Sequence, residues 1–134
     1  MSTDRSANQD LPRARELASG PVITVRGELD AVDALREMYR RGVHHLAVLP
    51  EDPLGLVTAA DLLFGIAARR PGERVPVAEL CRRPAPGVGV DDTGAVAAAR
   101  LVESGSDAAF VWDAGAIRGV VTASDFVRAV AGAP

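Results

Sequence analysis

Four residues combine the types and the spacing that could hold a charged small molecule: Thr58 with Asp61, and Thr122 with Asp125. Each pair closes a short phrase, GLVTAAD at 55–61 and GVVTASD at 119–125. Glycine, threonine and aspartate keep their places there while the apolar letters vary. Packing tolerates exchange of one apolar residue for another, so the fixed polar letters need a reason of their own. Each phrase reads as a strand running into a helix, with the threonine at the helix start. Thr-x-x-Asp at that point is a capping box, in which the hydroxyl accepts from the third helical amide and the carboxylate reaches back to the threonine amide. The same geometry has a chemical use. A helix N-terminus with open amides and a hydroxyl suits a phosphate, and a carboxylate one turn in can accept hydrogen bonds from two vicinal hydroxyls, as on a ribose. The apolar strand before it offers a flat surface to a base. Together these describe a nucleotide pocket without catalytic groups, whereas the capping box by itself describes only a helix start.

Other chemistry-bearing residues lack such an arrangement. His44 and His45 are adjacent, so on a strand they point to opposite faces and cannot easily grip one metal. Cys81 has no CxxC partner and reads as a small apolar residue in packing. No Ser/His/Asp order, Walker loop or GxGxxG is present, so neither a catalytic residue nor a metal ligand is assigned and no cofactor is expected. Asp91–Asp92 and Glu51–Asp52 fall in predicted turns and read as solvated. Arg69–Arg70 end a predicted helix and suit its negative end, with a phosphate as their other use. Trp112 is expected at a strand end, partly buried.

The elements that must position the two pairs come in two copies. ARELASGPVITV (14–25) resembles VAELCRRPAPGVGV (77–90), and AVDALREMYRRGVHHLAVL (31–49) answers AVAAARLVESGSDAAFVW (95–112), with Gly42 against Gly105. Each copy reads as strand, helix, strand, strand, helix. In the first, PVITV is a strand, and Ala31, Ala34, Leu35 and Met38 follow helical spacing to a C-terminal Gly42. HHLAVL and LGLV are strands, and AADLLFGIAARR is a helix that stops at Pro71. In the second, the elements fall at 88–90, 93–104, 109–112, 117–121 and 123–131. The expected organisation is a flexible polar tail over 1–12 and repeats over 13–76 and 77–134.

Composition narrows the classes of function. Of 134 residues, 48% are hydrophobic but only 4% aromatic, so a core must be built from Ala, Val and Leu. The net charge of −3 argues against a nucleic-acid surface. One cysteine excludes an internal disulfide and fits a reducing compartment. The opening residues lack the apolar core of a secretory signal. The longest apolar stretch, LGLVTAADLLFGIAA, is shorter than the roughly 20 residues of a membrane helix and contains Asp61. The expectation is a cytoplasmic protein that binds neither membrane nor nucleic acid.

With these residues in view, the sequence resembles the tandem cystathionine-β-synthase-type (CBS) domain pair, the Bateman module. Gly, two apolar residues, Ser or Thr, two variable residues, then Asp or Asn is that family's signature, and GLVTAAD and GVVTASD both satisfy it. The run from Ala34 through Met38 to Gly42–Val48 is similar as well, with Ala47 where the family usually has proline and Phe110 at that place in the second copy. The resemblance covers about residues 13–131. It implies an α+β fold of two pseudo-symmetric βαββα repeats packed through their sheets, with ligand clefts between them. It implies ribose contacts for Asp61 and Asp125 and phosphate contacts for Thr58 and Thr122. The function implied is a stand-alone regulatory module that senses an adenosyl ligand (AMP, ADP, ATP or S-adenosylmethionine) and signals to an effector protein. The alternative is a ligand-free dimerisation module. A homodimer is expected, with Leu62, Leu63, Ile66 and Phe126 covered by the second chain. The polar groups Arg118 and Ser124 tilt the expected affinity slightly towards the second site.

Overall fold

The computed structural model describes residues 11–50 and 53–132. Apart from Leu11 and Pro12, the expected tail lies outside the described residues, as does the Glu51–Asp52 pair. Two compact units are present, each with a three-stranded sheet of mixed direction. Ile23–Ala85 forms one unit. In it β1 (Thr24–Arg26) pairs parallel with β2 (His45–Leu49), and β2 pairs antiparallel with β3 (Gly55–Thr58). Helix α2 (Ala31–Arg41) joins the first two strands, and α3 (Ala59–Ala67) follows the third.

The other unit repeats the pattern with β4 (Gly87–Gly89), α4 (Gly94–Ser104), β5 (Ala108–Asp113), β6 (Ala116–Thr122) and α5 (Ala123–Gly132). It also contains residues 11–22, including the short helix α1 (Ala14–Leu17). The two sequence repeats have therefore exchanged their opening segments. Ala14 and Leu17 bury into the core of Val88, Val111 and Val121, while Val77, on a 3-10 turn at Val77–Glu79, buries with Met38, Val48 and Val57. Equivalent backbone bonds hold both segments: Ala14 N to Asp92 O at 2.9 Å matches Val77 N to Leu29 O at 2.9 Å.

Local signals explain the helices. Asp30 caps α2 by accepting from the Val32 amide at 3.3 Å, and Thr93 caps α4 through Val96 at 3.2 Å. Both helices end on a left-handed glycine, Gly42 at φ 68° and Gly105 at φ 66°. Ala31, Ala34 and Met38 face the core at helical spacing, with Leu35 half buried beside them. Helix α3 ends at Ala67, short of the expected stop at Pro71. Past it the chain turns so that Arg69 reaches Glu79 at 3.1 Å.

The dimer expectation is corrected at one residue. Leu62 is fully buried in its own unit's core and needs no partner chain, whereas Leu63 and Phe64 on the same helix are exposed. Phe126 is half buried against its own core. Trp112 sits beside a bulge near the end of β5, half buried and edge-on to Phe110 at 6.5 Å.

Candidate functional site

Each threonine stands at the junction of a strand and a helix, and each pairs with its own aspartate. In the first copy the Thr58 amide donates to Asp61 Oδ2 at 3.0 Å, and the Asp61 amide donates to Thr58 Oγ1 at 3.2 Å. In the second the Thr122 amide donates to Asp125 Oδ2 at 2.7 Å, its hydroxyl donates to the same oxygen at 3.1 Å, and the Asp125 amide reaches Thr122 Oγ1 at 3.4 Å. The capping box is thus formed twice. It also uses up part of the helix-end donor set. The Ala59 amide donates to His44 O at 2.9 Å, so of the amides from Thr58 to Asp61 only that of Ala60 has no partner among the described residues. Ser124 holds the same position in the second copy, because the Ala123 amide donates to Asp107 O at 3.0 Å.

The two carboxylates differ in their second oxygen. Asp61 Oδ1 lies 3.8 Å from Arg82 Nη2, too far for a hydrogen bond, and the side chain is 18% exposed. Asp125 Oδ1 accepts from Arg128 Nη2 at 2.5 Å, and its side chain is 5% exposed. Neither arginine was singled out by motif reasoning. Arg128 was within reach of it, as a base three residues after an acid on a helix. Arg82 was not, because it comes from the exchanged segment 77–85.

The motif glycines have a packing cause. A Cβ at Gly55 would lie 2.8 Å from Cys81 Sγ, and one at Gly119 would lie 2.8 Å from the Ser19 carbonyl oxygen. Both strands are bridged at the next residue by an exchanged segment, Leu56 with Arg82 and Val120 with Ser19; at Gly119 the obstacle is that segment's backbone, whereas at Gly55 it is the ends of the Cys81 and Arg83 side chains.

The remaining candidates take structural positions. His44 is exposed and His45 buried, on opposite faces as expected. Among the described residues no group of three His, Cys, Asp or Glu side chains gathers as a metal site. Cys81 packs beside the core with its thiol 3.5 Å from Ala78 O and 3.7 Å from Arg83 Nη2. Asp91 pairs with Arg15, and Asp92 accepts from the Gly89 amide at 2.8 Å. Among the described residues no helix is long and apolar enough to cross a membrane.

Two surface grooves of about 770 and 810 Å³ lie elsewhere in the first unit, and neither is lined by Thr58 or Asp61. The first has Val25 and Leu29 in its floor and charged walls that are already paired, Arg36 with Asp33 at 2.8 Å and Arg40 with Glu37 at 2.6 Å. Burial pushes the Glu37 carboxyl up, but the Arg41 and Arg40 guanidiniums outweigh it and hold the group below its ordinary value. Those guanidiniums are committed, so the groove offers a ligand little unpaired charge. The second lies at the Leu49–Pro50 end of β2, whereas Thr58 pairs with His45 at the opposite end.

Comparison with known proteins agrees with this geometry. The CBS domain family model matches twice, at residues 14–68 and 77–132. Among solved structures the chain is similar to the hexameric CBS-CP12 protein from bloom-forming cyanobacteria, with 26% identity, a TM-score of 0.76, and coverage of 86% of this chain and 69% of that one. It is similar to the CBS domain protein TA0289 from Thermoplasma acidophilum at 27% identity and TM-score 0.76, covering 88% and 68%. The CBS domain pair of protein MJ0100, in complex with 5′-methylthioadenosine and S-adenosyl-L-methionine, shares the fold at 19% identity and TM-score 0.77, covering 91% and 98%. No curated protein matches the chain in sequence. With the family model matched over both halves, this chain belongs to the CBS domain family and carries that domain as a tandem pair.

Proposed function

We propose that this chain is a regulatory module that binds an adenosyl ligand, AMP, ADP, ATP or S-adenosylmethionine, and passes the binding event to an effector protein. The observation that carries the reading is the state of Asp61. Its Oδ2 is fixed by the Thr58 amide, so the carboxylate is held in one orientation, while Oδ1 accepts no side-chain hydrogen bond among the described residues and the side chain is 18% exposed. A rigid charged acceptor of this kind fits a ribose diol, with the Ala60 amide, the Thr58 hydroxyl and the helix dipole beside it for a phosphate. In the second copy the same roles fall to Asp125 and Thr122. The adenosyl ligands in the MJ0100 complex support this choice of ligand class. The reading needs no group that carries out chemistry on the ligand, consistent with a sensor rather than an enzyme.

A thermal-shift panel of the four ligands tests it. Binding to the folded state at a hundredfold excess over Kd adds about 2.7 kcal/mol, a rise of about 10 °C for a chain of this size. Failure of every ligand to raise the melting temperature defeats the proposal.

One observation favours a second reading, a dimerisation module without a ligand. Both aspartates already serve as caps, and the helices leave Phe64, Val127 and Val130 exposed, which suits a chain–chain surface. A homodimer is compatible with either reading.

A further inference from the structure

The two copies of the Thr-x-x-Asp motif offer a ligand very different numbers of open positions. A carboxylate has about four acceptor sites. At Asp125 three donors are already in place: the Thr122 amide and hydroxyl on Oδ2, and Arg128 on Oδ1. At Asp61 the Thr58 amide is the one hydrogen-bonded donor among the described residues, and Arg82 stands off at 3.8 Å. The threonines differ in the same sense. Thr122 donates its hydroxyl proton to Asp125, so that proton is unavailable to a phosphate, whereas Thr58 Oγ1 accepts from the Asp61 amide and makes no bond to the Asp61 carboxylate. Burial follows, at 5% exposure for the Asp125 side chain against 18% for Asp61.

Resting on the ligand reading above, we propose that an adenosyl ligand binds more tightly at Thr58 and Asp61 than at the second motif, which the bonds of Arg128 and the Thr122 hydroxyl to Asp125 weaken. The guanidinium lies over the only oxygen of Asp125 not already doubly engaged. The ion pair itself is a weak lock: with Arg128 71% exposed, displacing it changes affinity by no more than about fivefold. A ribose hydroxyl reaches Oδ1 only by displacing Arg128, and a phosphate takes the Thr122 proton only by breaking its bond to Oδ2, a second cost that the first motif does not impose. This reverses the expectation that the more polar second copy binds more tightly. That expectation rested on Arg118 and Ser124, and Arg118 pairs with Asp113 at 3.3 Å.

Isothermal titration of the full chain with AMP and with S-adenosylmethionine tests the assignment. The tighter event in wild type should be lost in Asp61→Ala and kept in Asp125→Ala. Arg128→Met removes only the charged head of an exposed side chain. It should tighten the weaker event by up to about fivefold, and Asp125→Ala should remove that event. Two events of equal affinity in wild type, a tighter event that depends on Asp125, or an Arg128→Met variant with the weaker event unchanged each overturn the inference and leave the ligand reading intact. No binding by wild type or by Arg128→Met to either ligand overturns both.

Discussion

Alanine at Gly119 should destabilise the protein by about 2–4 kcal/mol, and alanine at Gly55 by no more than about 1 kcal/mol. The two glycines occupy equivalent places in the repeated phrase, yet they face different obstacles. A Cβ at 119 would meet the Ser19 carbonyl oxygen at 2.8 Å and Ala18 Cβ at 3.3 Å. That carbonyl accepts from Val120 at 2.9 Å, and the Ser19 amide returns a bond of 2.9 Å to Val120, so the segment cannot retreat without losing both. Overpacking costs about 1–3 kcal/mol and each lost hydrogen bond about 1 kcal/mol, offset by about 0.5–1 kcal/mol for removing a strand glycine. At Gly55 the obstacles are the ends of side chains, Cys81 Sγ at 2.8 Å and Arg83 Nη2 at 3.2 Å. A thiol escapes by rotating about one bond. Urea unfolding followed by Trp112 fluorescence reports on the unit that contains Gly119, and circular dichroism follows both units. Cys81→Ala should rescue much of the Gly55→Ala loss. Equal losses at the two positions, or no rescue, would refute the argument from close approach.

Asp61→Ala should weaken adenosyl-ligand binding by about ten- to 150-fold, measured beside the melting temperature of the unliganded variant because the cap is lost too. The Val75 amide, at 2.9 Å, is the main cause that holds the Asp30 carboxyl below its ordinary pKa, with Val32 and Arg74 assisting against burial. A lowered carboxylate pKa stabilises the fold above the ordinary carboxylate range and loses that contribution as the pH falls through the lowered value. The gap in melting temperature between wild type and Asp30→Ala should therefore close on acidification; a gap independent of pH would count against the charge of Asp30. Light scattering should return a dimer, reduced by Phe64→Asp to the 13.9 kDa monomer, since Phe64 is 83% exposed on a helix that also exposes Leu63.

Much of each unit was legible because its signals are local. The helical spacing of Ala31, Ala34, Leu35 and Met38, the glycine stop at 42 and its counterpart Gly105 lie within a few residues of what they control. The strands and helices accordingly fall close to their expected limits, except that α3 ends early, β1 begins only at Thr24 rather than at Pro21, and the short helix α1 was not expected. The capping boxes were legible for the same reason. What escaped was set by long-range pairing: the placing of Ala14 and Leu17 against Val88 and Val111, the approach of Arg82 to Asp61, and the carbonyl that forbids a side chain at Gly119. The short segments responsible have no periodicity that names a distant partner. Arg128 is a different case, since its spacing from Asp125 was visible and only its chemical consequence was missed.

The exchanged opening segments also impose an order of events on a chain emerging from the ribosome. The unit Ile23–Ala85 has all its parts once Ala85 is made, and its contacts close over about sixty residues. The other unit cannot be completed until β6 exists, because Ser19 pairs with Val120 across a hundred intervening residues. Ala14 and Leu17 must therefore stay outside their core while the unit Ile23–Ala85 forms. Closing so long a loop is slow and entropically costly. Co-translational folding thus proceeds from the middle of the chain, with its early and late parts meeting last.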